Sequence, residues 1–260
     1  MAYHTLRLEH DGEVATITLA RPEKRNAIST QMIEELLAVL DVIDESTARV
    51  AIITGEGKAF CAGMDLDELR SIAEHSKREN FEDSRRMAAM FYRIYSFRKP
   101  VIAAVNGPAI AGGCGIATLA DFTLAAPEAK FGYTEVKIGF MPALVSVFLR
   151  RQIGEKHSRD LLLSGRILDS AEAFRIGLVT EIVAADKLMP RAREIAATLV
   201  ASSPVSIART KLLLLRAEEA PLKAEIEIAV RENADIRTTE DFKEGLASFL
   251  EKRPPKWTGK

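Results

Sequence analysis

The chain has 260 residues, enough for one large domain or for one domain with a small appendage. Hydrophobic residues make up 47% and charged residues 28%, and 36 basic against 37 acidic side chains leave a net charge of −1. This balance excludes a global field that draws in nucleic acid or an anionic membrane, and no apolar run reaches the ~18 residues of a membrane span.

The start, MAYHTLRLEH, lacks the charged and then apolar regions of a secretory signal. Cys61 and Cys114 stand among small residues and form no C-x-x-C pair. They read as reduced, buried thiols of a cytoplasmic protein. The 4 histidines are scattered and read as structural or surface residues.

Residues 5–9 and 14–19 (VATITL) have strand composition and flank the turn-like Asp11-Gly12, which predicts a hairpin. The polar loop RPEKRNA follows. Ser29 is placed to cap a helix over 30–45, with Met32, Leu36, Leu37, Leu40 and Ile43 near one face. The branched run RVAIIT at 49–54 predicts a buried strand, and FCAGMD at 60–65 a small-residue loop. Residues 66–96 are helical in character, PVIAAV at 100–105 is strand-like, and GGCG at 112–115 opens an apolar helix. Residues 122–125 are strand-like again.

From Ala143 the pattern is mostly helical. Helices are expected over 151–163, 170–175, 185–200, 204–217 and 239–252, with Ser203-Pro204 as a cap followed by proline at the first helical position. Gly177 is placed to stop the short second one. Strands alternating with helices predict an α/β core. The helical C-terminal region is expected to pack on that core or on a partner subunit.

Two small-residue loops are the candidates for chemistry. Ala62 and Gly63 form the heart of the first, Gly112 and Gly113 of the second. Neither has the Lys-Ser/Thr of a phosphate-binding P-loop, and GGCG is not G-x-G-x-x-G. Two readings remain. The loops aim backbone N–H groups at one oxygen, helped by a helix start, or the glycines serve close helix–strand packing.

KAFCAGMDL (58–66), KPVIAAVNGPAIAGGCGIATLAD (99–121) and AKFGYTEVKIGFMP (129–142) closely resemble the crotonase, or enoyl-CoA hydratase/isomerase, family. RPEKRNA, SGRILDSAEAFRIGLVTEIV and TEDFKEGLASFLEKRPPKW extend the resemblance along the whole chain. It implies an α/β fold, a spiral of ββα units over residues 1–200 that holds an acyl-CoA site. Residues 201–260 would form a helical oligomerisation region that builds trimers or dimers of trimers. The implied substrate is an acyl-CoA thioester, with no separate cofactor, no metal, no nucleic acid and no membrane partner.

By matching motif, the N–H groups of Ala62 and Gly112 would hold the thioester oxygen, and Glu135 in Gly-Tyr-Thr-Glu would be the catalytic carboxylate. Gly63, Met64, Gly115 and Tyr133 would border the acyl group. Lys24, Arg25, Asn26 and Ala27 match the loop along the CoA nucleotide. Asp65 matches the adenine end or a helix cap. Phe249 and Lys252 match a C-terminal pair that reaches CoA.

Gly115 departs from the pattern. Two-carboxylate hydratases of the family have a second glutamate there. The resemblance implies an enoyl-CoA hydratase in which Tyr133, a water or an anion replaces that side chain. The alternative is a 3-enoyl- to 2-enoyl-CoA isomerase with Glu135 as sole base. Other enolate chemistry, such as thioester hydrolysis or decarboxylation, is a third possibility. A reading from another class is a catalytically reduced CoA- or RNA-binding member. Ala143 to Ser146 (ALVS) replaces a glycine-rich run and is expected to reshape the acyl pocket wall.

Overall fold

The branched apolar runs of the first half pair into one sheet. The computed structural model describes residues 3–72 and 74–260. Its first elements are β1 (Leu6–Asp11), β2 (Val14–Leu19), α1 (Thr30–Glu45), β3 (Val50–Gly55), α2 (Leu66–Ile72) and α3 (Lys77–Tyr95). Then come β4 (Val101–Val105), β5 (Ala109–Ile110), α4 (Gly112–Leu119), β6 (Phe122–Ala125) and β7 (Lys130–Gly132). The chain continues through α5 (Ala143–Ser164), β8 (Ile167–Asp169), α6 (Ser170–Arg175) and β9 (Glu181–Ile182). It ends in α7 (Leu188–Val200), α8 (Pro204–Arg216), α9 (Glu219–Asp235) and α10 (Glu240–Glu251).

The expected hairpin is present: β1 and β2 pair antiparallel, and Gly12 takes the positive φ that the turn requires. The six-stranded sheet has the order β1-β2-β3-β4-β6-β9, parallel from β2 onward. A second sheet has the order β5-β7-β8. Both faces of β3 and β4 are covered. Ile53 and Ala103 join the main core with α1, whereas Ile52 and Ile102 meet Ala192 and Ala196 of α7. Ser29 caps α1 through the Met32 N–H, as its position predicted.

Several elements differ from the sequence expectation. The helical stretch 66–96 divides into α2 and α3, because Ser76 and Glu79 form a reciprocal capping box that starts a new helix; residue 73 lies outside the described residues. Helix α5 begins at Ala143 rather than at 151 and kinks at Gly154, whose φ is 75°. The short strands β5, β7, β8 and β9 were not expected. Neither was α9, whose AEIEIAV stretch alternates with period two and has Pro221 before it. It is helical because Leu222, Ala229, Val230, Asn233 and Ala234 fall on one buried face.

The boundary expected near residue 200 falls at the turn between α7 and α8. No residue of α8 is buried, and Val205, Leu213 and Leu214 are exposed there. Helix α9 then returns to the core, where Leu222, Ala229 and Val230 join the main cluster. No single helix among the described residues is long and apolar enough to cross a membrane.

Candidate active site

The two small-residue loops are laced together. The N–H groups of Phe60 and Cys61 both donate to the Pro108 carbonyl, and the Ile110 N–H donates to the Cys61 carbonyl. Gly113 lies against this seam, where a Cβ would come within 2.3 Å of the Cys61 carbonyl oxygen. Gly113→Ala therefore forces the loops apart. It is expected to lower the unfolding free energy in urea by about 3 kcal/mol.

Gly112 is the first residue of α4, so its N–H has no helical partner. Ala111 before it holds φ 50° and ψ −124°, a sparsely populated conformation for a residue with a side chain, fixed by its N–H bond to the Gly132 carbonyl at 2.7 Å. Strain at that one residue sets the direction of the Gly112 N–H.

The first loop corrects the expectation for Ala62. Its N–H donates to the Arg25 carbonyl at 3.0 Å and is already used. The Ile28 N–H donates to Gly63 and the Asp65 N–H to Ile28, a parallel bridge that leaves the N–H of Met64 facing the other way. That N–H makes no hydrogen bond among the described residues. The unpaired donors are thus Met64 and Gly112, and Ala62 contributes only its small side chain to the cavity wall.

These groups border a cavity of about 260 Å³. Its wall is largely apolar, with Met64, Leu69, Met87, Phe91, Leu144 and Phe249 among its residues. Few polar side chains reach it. Glu135 opens the short turn Glu135–Ile138, is 9% exposed, and has a buried Oε2 with no partner. Burial raises its pKa to about 7 from the usual 4.5, against only its own backbone N–H.

The folded protein therefore binds this proton more tightly than the unfolded chain does. Stability is fully present below about pH 4.5 and is lost as pH rises to about 7, a drop of about 3 kcal/mol. Glu135→Gln removes the titration. The variant is expected to be more stable than the parent by about that amount at pH 8 and by little at pH 4.5, as read by urea unfolding.

Gly115 lies in α4, fully buried, and a Cβ there would come within 2.7 Å of Phe91 Cζ. The ring of Phe91, delivered by α3 and packed edge-on against Phe148, borders the cavity in front of Gly115. The Phe91 ring takes up the space next to Gly115 where a water or anion was expected. Tyr133 does not replace the missing carboxylate either. It is fully buried, its hydroxyl is paired with Thr118 Oγ1 at 2.6 Å, and it does not border the cavity. Burial pushes its phenol well above the ordinary tyrosine range. Gly63, with φ 90°, also stays out of the cavity, held against the Ile110 carbonyl.

The polar loop lies beside the first small-residue loop. Asn26 is buried and ties the turn to the carbonyls of Glu56 and Ala59. Arg21 donates to Asp65 at 2.6 Å and to the Ala27 carbonyl. Asp65 also accepts from the Asp67 N–H at the start of α2, so its role here is to cap a helix and anchor a loop. Lys24 pairs with Asp67 at 2.7 Å on the surface, and the Arg25 side chain makes no ion pair among the described residues. Phe249 borders the cavity and is half exposed, while Lys252 caps the end of α10 with a positive φ outside it. Both cysteines are free and buried, and desolvation pushes their thiols up to about 12.

The sequence reading missed Phe91, Asn233 and Arg237, which all border the cavity. The signal for Phe91 lay in Gly115 itself: a missing side chain in a packed helix demands a filler. No local signal marked the other two, since the helix that carries Asn233 was itself unexpected.

A sequence model described as enoyl-CoA hydratase/isomerase matches residues 9–260. A Thermus thermophilus protein that is an enoyl-CoA hydratase by name alone is 43% identical over 247 residues, covering 95% of this chain and 98% of that one. The crotonyl-CoA hydratase of Syntrophomonas wolfei is 34% identical over 267 residues and covers 100% of both. Among solved structures, an enoyl-CoA hydratase/isomerase from Xanthobacter autotrophicus Py2 superposes with a TM-score of 0.89 at 29% identity, covering 97% of this chain and 98% of that one. The chain belongs to the enoyl-CoA hydratase/isomerase family.

Proposed function

We propose that this protein is an enoyl-CoA hydratase that adds water to a 2-enoyl-CoA thioester. The observation that carries the reading is one buried carboxyl with an unpartnered oxygen, Glu135, beside a cavity that also takes two unpaired N–H groups. The names of the relatives support hydration. The N–H groups of Met64 and Gly112 bind the thioester oxygen, where negative charge grows as the enolate forms. The enolate forms as water oxygen bonds to the β-carbon and the Cα=Cβ electron pair moves toward the thioester. Protonated Glu135 gives its proton to the α-carbon as that charge collapses back. The surplus proton of the added water passes to the Glu135 carboxylate, which restores the acid.

Lys24, Arg25 and Lys252 are assigned to the CoA nucleotide. The exposed apolar residues of α8 fit burial in a trimer or a dimer of trimers, and the compartment assigned is the cytoplasm. The coenzyme enters as part of the substrate, and the chemistry needs no other cofactor.

One observation favours a second reading. Phe91 fills the place of a second carboxylate, and moving a proton from C2 to C4 of a 3-enoyl-CoA needs only one base. The test is product mass from each enoyl-CoA in oxygen-18 water. A heavy 3-hydroxyacyl-CoA supports hydration. A shifted double bond without label replaces the hydratase reading with the isomerase. Binding without either product leaves a CoA-binding role.

A further inference from the structure

Two polar residues of the cavity have no part in proton transfer. Asn233 lies in the last turn of α9, and Arg237 in the turn Ile236–Thr238 that follows. They are 4% and 3% exposed. Arg237 donates through Nη1 to Asp83 at 2.7 Å and to Asn80 at 3.4 Å, and through Nη2 to Asn233 Oδ1 at 2.8 Å. Its guanidinium lies 5.5 Å from the centroid of Phe140, another residue of the cavity wall.

Two donors are left over. Arg237 Nε is buried without a partner. The Asn233 amide enters one hydrogen bond among the described residues, and there it is the acceptor. Its Nδ2 is unused. A buried donor without an acceptor, such as Arg237 Nε, is destabilising unless a ligand satisfies it. Arg49 and Arg151 also have an unpartnered Nε, but neither borders this cavity. The ion pair with Asp83 accounts for the burial of the Arg237 charge. It does not account for an amide and a guanidinium residue in the wall of a chamber that is largely apolar.

We propose that Asn233 and Arg237 form an acceptor-binding region of the acyl pocket, and that the preferred acyl chain carries an uncharged oxygen, hydroxyl or carbonyl, away from the thioester. The proposal rests on the acyl-CoA reading of the cavity. An uncharged oxygen fits better than a carboxylate because Asp83 already neutralises Arg237. A second carboxylate would enter the buried cluster without a counter-charge of its own. A hydroxyl or carbonyl oxygen accepts from Nε and Nδ2 without that desolvation cost.

The test is calorimetric binding of saturated acyl-CoA pairs, which need no turnover. Each pair has one chain length and ends in a methyl or a hydroxyl group, in short, medium and long versions. A carboxylate-ended acyl-CoA of each length is added. At one length the hydroxyl ligand is expected to bind about tenfold tighter than its methyl partner. Asn233→Leu and Arg237→Lys are each expected to reduce that preference, the ratio of hydroxyl-ended to methyl-ended affinity, to below about twofold. The lysine keeps a cation beside Asp83 but has no Nε–H of the guanidinium kind. Equal binding at every length, a preference that survives both variants, or tightest binding of the carboxylate ligand overturns the proposal. Failure of every acyl-CoA to bind overturns the acyl-CoA reading as well, and that result is distinct from binding without preference.

Discussion

Glu135→Gln is expected to lower kcat/KM on enoyl-CoA by about three orders of magnitude while leaving acyl-CoA binding within about twofold. Glutamine fills the same volume and presents an amide where the carboxyl stood, so the cavity is kept. What disappears is the one carboxyl among the described residues lining it, with a pKa raised to about 7. The pH profile of the parent adds a sign. Hydration starts from protonated Glu135, so its kcat/KM should fall as pH rises through about 7. Isomerisation starts from the carboxylate, so its kcat/KM should rise through the same range. Retained turnover in the glutamine variant would remove Glu135 from the chemistry.

The fold and the first half of the site were legible because the sequence signals there are local. The branched strands, the Ser29 cap and the glycine cluster each act over a few neighbouring residues. The oxyanion loop was legible only to within two residues. Motif matching pointed to Ala62, but the choice between Ala62 and Met64 depends on which N–H the loop 25–28 already uses, a pairing between segments far apart in sequence. Tyr133 shows the same limit. Its place beside Glu135 in the chain suggests a shared cavity, yet Tyr133 directly follows the end of β7 and its phenol turns toward Thr118 of α4. Arg237 and Asn233 were beyond reach because their positions depend on α9 packing on α3, through partners such as Asp83 and Asn80 more than 150 residues earlier.

The pairing of Gly115 with Phe91 gives the other large effect. Gly115→Glu alone should destabilise the fold by about 3 kcal/mol, because its Cβ has to displace a packed ring. Phe91→Ala alone should lose a similar amount by leaving a void against Phe148. Together the changes are compatible in volume, and the double variant is expected to recover at least about 1 kcal/mol relative to the sum of the singles. It also brings a second carboxyl into the cavity opposite Glu135. If water activation limits the parent, hydration by the double variant should rise by about a hundredfold over that of Phe91→Ala, the scale of one positioned general base. An unchanged rate would mean that this chain orients its water by another route. In that case the phenylalanine at this position shapes the acyl chamber rather than restricting the chemistry to one carboxylate.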